Sequence, residues 1–143
     1  MRWKNFGETT EEGHTVFFSG KEDRHEHGVG FLDHKDIVNT VMEYRPVPSK
    51  FITISLRAVP FNITIVQAYT PTSNFDDNGI EELYDQLQDA IDQTPKDILV
   101  LQGDWNAKVS RDACGNWQGI FGPFCNDDTN ERGLRVFCFF FHL

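Results

Sequence analysis

Phe61-Asn62-Ile63-Thr64-Ile65-Val66-Gln67-Ala68-Tyr69 and Asp97-Ile98-Leu99-Val100-Leu101-Gln102-Gly103 are two apolar segments in the middle of this 143-residue chain. Each has the length of a strand. Between them, apolar residues recur at the spacing of one helical face, at Ile80, Leu83, Leu87 and Ile91. A strand, a helix and a strand in this order form a β-α-β unit, whose strands run parallel when they join one sheet. The sequence therefore predicts an α/β fold with strands over 61–69 and 98–103 and a helix over 80–93.

The flanking segments predict further strands. The four consecutive apolar residues 98–101 predict that the second strand is covered on both faces. Upstream, Ile52–Ala58 alternates apolar and polar residues, and a turn near Pro60 would make it the antiparallel partner of 61–69. His14–Gly20 and Gly28–Leu32 are typical of a hairpin around a charged loop. Residues 1–13 are polar and weakly patterned.

This topology places three polar residues at one edge of the sheet. Parallel strands end at the same edge, so Tyr69, which closes the first strand, and Asp104, which follows the second, should emerge together. Asn106 can point the same way as Asp104. A carboxylate and an amide side by side can orient a water, accept its proton and hydrogen-bond a phosphate, and a phenol can add another bond. The alternative interpretations are ordinary turn chemistry for Asp104 and Asn106 and a sheet-edge aromatic for Tyr69.

Other candidate ligands carry weaker signals. His25-Glu26-His27 could bind a metal, but its place in a charged hairpin loop favours a solvated turn. Cys114 and Cys125 could pair or hold zinc, although they do not form a close Cys-x-x-Cys motif. The odd total of three cysteines needs no disulfide.

Composition and charge narrow the class of protein. The 39% hydrophobic and 13% aromatic content favours a folded chain. The sequence contains neither an apolar run long enough to span a bilayer nor the pattern of a secretory signal, so we expect a nuclear or cytoplasmic protein. The net charge is −9, which opposes tight nucleic-acid binding. Much of the excess of acidic over basic residues lies in one segment, since residues 76–97 contain eight acids and one base.

Three segments carry a resemblance to a known family: residues 61–72, Gly103-Asp104-Trp105-Asn106-Ala107-Lys108-Val109, and Asn130-Glu131-Arg132-Gly133-Leu134. The order of these segments resembles that of the exonuclease–endonuclease–phosphatase superfamily. Their amino-acid sequences are similar to those of the endonuclease domains of RTE (BovB-like) non-LTR retrotransposons and of the craniofacial development protein 2-like proteins. The resemblance covers about residues 1–135. It implies a partial four-layer α/β/β/α sandwich of the DNase-I-like type.

The resemblance also implies roles for individual residues. Tyr69 matches the tyrosine that contacts the scissile phosphate, and Asp104 matches the aspartate that positions or deprotonates the attacking water. Asn106 matches its partner on the phosphate or metal side, and Asn130 matches a substrate-binding asparagine at the rim. The family uses Mg²⁺ or Mn²⁺ and acts on nucleic acid, more often DNA than RNA.

The family pattern has further parts that this sequence does not match. The metal-binding glutamate near its start, and the metal-side aspartate and Ser-Asp-His segment near its end, have no counterpart here, and no aspartate precedes His142. The resemblance therefore implies a domain truncated at both ends over 1–135, followed by a divergent Phe-rich tail over 136–143 that departs from the expected helix.

Three functions are compatible with these features. The first is a phosphodiester endonuclease domain of retrotransposon origin, inactive as this fragment, with Mg²⁺ bound weakly or not at all. The second is a non-catalytic acidic module that binds a basic protein partner. The third is a complete phosphodiesterase or phosphatase whose unorthodox site uses His25 or His27.

Overall fold

The computed structural model describes residues 4–20, 28–48, 50–70, 77–94, 97–110 and 128–142. The chain divides into two compact units, Met1–Gly103 and Asp104–Leu143. The strands are β1 (Phe6–Glu11), β2 (His14–Ser19), β3 (Val29–Asp33), β4 (Val41–Val47), β5 (Phe51–Leu56), β6 (Ile63–Tyr69) and β7 (Ile98–Asp104). The helices are α1 (Asp77–Asp92) and α2 (Glu131–His142), and a short 3-10 turn spans Val38–Thr40.

The first unit contains two sheets, with strand orders β1-β2-β3 and β4-β5-β6-β7. The pairs β1–β2, β2–β3, β4–β5 and β5–β6 are antiparallel. In contrast, β6 and β7 run parallel: at their starts Ile98 N donates to Asn62 O (3.1 Å), and at their ends Gly103 approaches Ala68. With α1 between them, these strands confirm the predicted β-α-β unit. The predicted hairpins are confirmed as well.

Strands β5 and β6 separate two apolar layers, so β5 is buried on both faces and β6 is buried on one face and half-buried on the other. On the inner face, Ile52 and Ile54 form a buried cluster with Phe17 and Val29 of the three-stranded sheet. On the outer face, the buried side chains are Phe51, Val66 and Ala68, and α1 presents the buried side chains Ile80, Leu83 and Leu87. Each large apolar side chain buried in this way contributes about 1.5–3 kcal/mol.

Lys50, in the β4–β5 turn, ties the helix to this outer face. Its Nζ donates to Glu82 Oε1 at 2.8 Å and to Gln86 Oε1 at 3.0 Å. This hydrogen bond and the positive charge of Lys50 hold the pKa of the Glu82 carboxyl below its usual value. The architecture is thus a mixed α/β arrangement of two sheets with few helices, which is compatible with the predicted α/β class. The four-layer sandwich itself stays a prediction.

Two sequence-based expectations were wrong, and one strand lies in a segment for which the sequence made no prediction. The strand at 98–103 is not covered on both faces: β7 is the last strand of its sheet, and Ile98 is 44% exposed. A run of apolar residues does not distinguish a covered inner strand from an exposed last strand, because the residues that cover a strand come from elsewhere in the chain. The weakly patterned N-terminus contains β1, whose exposed polar residues hide the period of a strand. The tail after residue 135 does not depart from a helix, since α2 continues through His142.

Two weaker candidates, His25–His27 and the pair Cys114 and Cys125, lie outside the described residues. Cys138 is a free, exposed thiol. In the described part of the chain, no helix is both long enough and apolar enough to cross a membrane.

Asp33 at the end of β3 predicts a pH-dependent stability. The residue is 6% exposed, and its buried Oδ2 has no hydrogen-bond partner among the described residues. Burial raises the pKa of Asp33 above its usual value. Above the pKa of Asp33 in the folded state, its buried negative charge therefore destabilises the fold. This destabilisation disappears as the pH falls through that pKa. We expect Asp33→Asn to raise the unfolding midpoint at pH 7.

The same variant should bring little benefit at about pH 3.5, where the carboxyl is protonated in both folded and unfolded chains. Urea unfolding at both pH values measures the effect, with the exposed Asp85→Asn as the matched control. A benefit for Asp33→Asn that is equal at the two pH values would show that charge burial is not its cause.

Candidate functional site

The loop that follows β7 is a tight turn made by the predicted site residues themselves. Asn106 N donates to Asp104 Oδ1 at 3.1 Å, and Asn106 adopts φ +48°. Asparagine tolerates this left-handed conformation better than most residues do. The turn leaves Asp104 exposed and Asn106 half-buried. One carboxylate oxygen of Asp104 is thus used in ordinary turn chemistry, as the alternative interpretation proposed.

Asn130 holds the same loop from the start of α2. Its Oδ1 accepts from Gly133 N (2.8 Å), which caps the helix, and from Lys108 N (2.9 Å), which fixes the loop. Its backbone N donates to Lys108 O at 3.2 Å, and its amide Nδ2 lies 3.4 Å from Asn106 O. The carboxamide is therefore engaged in positioning the loop, and the substrate-binding role of Asn130 stays a prediction.

One face of α2 covers the loop along two helical turns. A Cβ on Gly133 would lie 1.9 Å from Lys108 O, so only glycine permits this approach. Val136 is buried on this face, and the Phe140 ring meets Trp105 edge-on at 5.5 Å. Gly133, Val136 and Phe140 follow the i, i+3, i+7 spacing of a helical stripe. Trp105, between Asp104 and Asn106, is thus anchored by a residue of the Phe-rich tail.

Tyr69 belongs to the first unit, whereas Asp104, Asn106 and Asn130 belong to the second, so the two groups are described separately. Tyr69 is the last residue of β6 and packs against the inner-face cluster. Its N–H donates to Lys50 O at 3.0 Å. This packing agrees with the alternative interpretation of a sheet-edge aromatic, and the phosphate-contacting role of the phenol stays a prediction.

Gly103 allows the ends of β6 and β7 to meet. It has φ +150°, and a Cβ there would lie 2.0 Å from Ala68 O. Ala68 and Gly103 immediately precede Tyr69 and Asp104 in the sequence. Within the first unit, the two strands therefore end side by side, as the crossover predicted.

Charge is distributed unevenly between α1 and the loop region. Helix α1 contains six acids and no base, whereas residues 104–110 and 128–142 contain three acids and three bases. Lys108, Arg132 and Arg135 are these bases. The net charge of −9 therefore does not describe the surroundings of Asp104 and Asn106.

The described residues supply only part of a metal site. No group of three or more His, Cys, Asp or Glu side chains among them is placed to hold an ion. Asp104 provides one exposed carboxylate, and Asn106 provides an amide oxygen. Mg²⁺ is usually held by one or two carboxylates together with waters and substrate phosphates, so this set matches the metal incompletely.

Comparison with curated proteins finds relatives along the whole chain. The chain is similar to Craniofacial development protein 2. It is 30% identical to the Bos taurus protein and 29% identical to the Tragulus javanicus protein, each over 99% of this chain. The chain spans about a quarter of the length of these relatives, 24% in both cases. No protein-family model matches it. The resemblance to craniofacial development protein 2-like proteins is thereby confirmed.

Sequence reasoning missed the residues that support the loop, namely Trp105, Gly133 and Phe140. One signal was available: glycine is a poor helix former, so a glycine at the third position of α2 suggests a close approach. The ring contact between Trp105 and Phe140 had no local signal, because it joins positions 35 residues apart.

Replacement of Gly103 by alanine should destabilise the first unit. The new methyl group would clash with Ala68 O, and the positive φ would strain any side chain. We expect a loss of about 2–5 kcal/mol in the free energy of unfolding, measured by urea titration. Gly7→Ala is the control, since its Cβ would sit at an ordinary 3.5 Å from the Phe18 ring. Equal losses for the two variants would contradict the close approach.

Two substitutions at Asn130 separate its structural role from a substrate contact. Asn130→Ala removes the cap and the bond to Lys108 and should cost about 1–2 kcal/mol. Asn130→Asp keeps an oxygen that can accept both bonds and should retain most of the stability. Urea unfolding and helical circular dichroism give the comparison. If Asn130→Asp were as unstable as Asn130→Ala, the capping oxygen would not be the important group.

Proposed function

We propose that this chain is a section of a metal-dependent phosphodiester endonuclease domain of the retrotransposon type. The observation that carries the proposal is the loop at the carboxyl end of β7. It presents an exposed carboxylate and, two residues later, an amide, and a cap and a ring contact hold it against α2. The three sequence segments that resemble these domains support the same assignment.

Each side chain has a distinct chemical task in this proposal. Asp104 keeps one oxygen in the turn, and its carboxylate accepts the proton of a water that attacks phosphorus. Asn106 donates an amide N–H to a phosphate oxygen. For Tyr69, in the first unit, the family resemblance supports a phenol that contacts phosphate. Mg²⁺, when bound, would neutralise charge on the phosphate, although the described residues supply its ligands only in part.

The 143 residues by themselves should not cut nucleic acid. General acid–base catalysis typically raises a rate by about 10²–10⁴. A bound metal stabilises the transition state by several kcal/mol, and about 1.4 kcal/mol corresponds to a tenfold change in rate. One carboxylate and one amide cannot replace a complete ligand set and a general acid. What remains is the capacity to bind a phosphodiester weakly, because Lys108, Arg132 and Arg135 offset the acids in this region.

Oligonucleotide binding and plasmid nicking test the proposal together. With Mg²⁺ and low salt, we expect weak binding of a labelled duplex, measured by fluorescence anisotropy. Asn106→Ala should weaken it about threefold or more by removing one hydrogen bond to phosphate. Gln88→Ala on α1 is the matched control. Nicking of supercoiled plasmid should not exceed the rate without protein.

The other outcomes are equally informative. Binding that is insensitive to Asn106→Ala would contradict the proposed loop site. Nicking that is abolished by Asp104→Ala would show that the chain is an active enzyme. Nicking that survives Asp104→Ala would indicate a contaminating nuclease.

A second candidate function is an acidic module for a basic protein partner. The observation that favours it is helix α1, whose exposed acids include Glu82, Asp85, Asp89 and Asp92. Charge of this density steers a basic partner at low ionic strength. Binding of such a partner would be independent of Asp104 and Asn106, which distinguishes this function from the first.

A further inference from the structure

The first unit contains a cavity of about 290 Å³ between α1 and the outer face of β4 and β5. Its floor contains Phe51, Thr53 and Ser55 of β5, and one wall is edge strand β4. The flank of α1 forms the other wall, with Gln86, Asp89, Ala90, Gln93 and Thr94. This volume lies just below the range of typical small-molecule sites, about 300–1,000 Å³, so a compact ligand fits.

Thr53 on the floor has an unmet hydrogen-bonding capacity. The residue is 6% exposed, and its buried hydroxyl has no partner among the described residues. A buried hydroxyl without a partner is uncommon and calls for a ligand or water. Its neighbour across the strands is Arg45, which is half-exposed and bonded to Glu43.

The charges that line the cavity favour a cation. Arg45 Nε donates to Glu43 Oε1 at 2.7 Å, so these two charges offset each other. Asp89 on the helix has no such basic partner within the described ranges, so the described lining residues carry one net negative charge. Thr53 and Gln93 add oxygens that can accept hydrogen bonds. Val47, Phe51 and Ala90 provide an apolar surface beside these acceptors.

We infer that this cavity binds a small organic ammonium compound. The ammonium group donates to the Asp89 carboxylate and to the Thr53 hydroxyl, and an apolar body of aromatic or branched-aliphatic type packs on Phe51 and Val47. An anion is disfavoured, because Arg45, the one cationic group among the described lining residues, is already paired with Glu43. The site lies in the first unit and involves none of the loop residues assigned to phosphate, so its test is independent of the proposed function.

Phenethylammonium chloride is a suitable probe for the full chain, followed by amide shifts in nuclear magnetic resonance spectra. We expect shifts at Thr53, Asp89 and Gln93 and a dissociation constant of about 1 mM. Phenylacetate, which has the same ring and the opposite charge, should bind about tenfold more weakly. Asp89→Asn should weaken binding about fivefold, whereas Asp85→Asn, on the same helix outside the lining, should not.

Thr53→Val supplies a second, independent readout. The substitution keeps the shape of the side chain and removes the hydroxyl, so binding should weaken about three- to tenfold. The thermal midpoint should rise at the same time, because a buried group without a partner destabilises the fold. If Thr53 contacts the ligand, Thr53→Val should therefore weaken binding and stabilise the fold.

Three results would overturn the inference. They are the absence of localised shifts up to about 20 mM probe, equal binding of phenylacetate, and unchanged affinity in Asp89→Asn or Thr53→Val. Asp89→Asn changes an exposed residue and should keep the fold intact, so a failure to fold cannot obscure that result.

Discussion

The first unit depends on β5 and β6, which face an apolar layer on each side. Successive side chains of a strand point to opposite sides, so each of these strands contributes to two apolar layers at once. One layer joins the two sheets through Phe17 and Ile54, and the other lies beneath α1 at Leu83 and Leu87. A shift of one residue in register would turn the side chains of both layers to the wrong side. This constraint fixes the register and the place of the crossover helix.

The second unit is organised around a loop that α2 holds from one end to the other. Asn130 and Gly133 fix Lys108 at the start of the helix, and Phe140 contacts Trp105 near its end. Asp104 and Asn106 lie on either side of Trp105 and therefore take their positions from a helix more than twenty residues away. Sites of this kind are precise only when such supporting contacts are rigid.

The acidic residues are concentrated in α1 and not in the candidate phosphate-binding loop. Helix α1 carries six acids and no base, whereas the described loop and α2 are balanced. The net charge of −9 therefore reflects α1 more than the residues around Asp104 and Asn106.

The sequence by itself determined the elements with a strong period. The strands at 61–69 and 98–103 and the helix with Ile80, Leu83 and Leu87 follow from side-chain spacing, and their order determines the parallel crossover. Tertiary structure alone decided the exposure of β7, the existence of β1, and the continuation of α2 through the Phe-rich residues. It also decided that Asn130 caps a helix and that Asp104 closes a turn. Spacing records which side of an element is apolar, but it does not record which distant residue covers that side or accepts its hydrogen bonds.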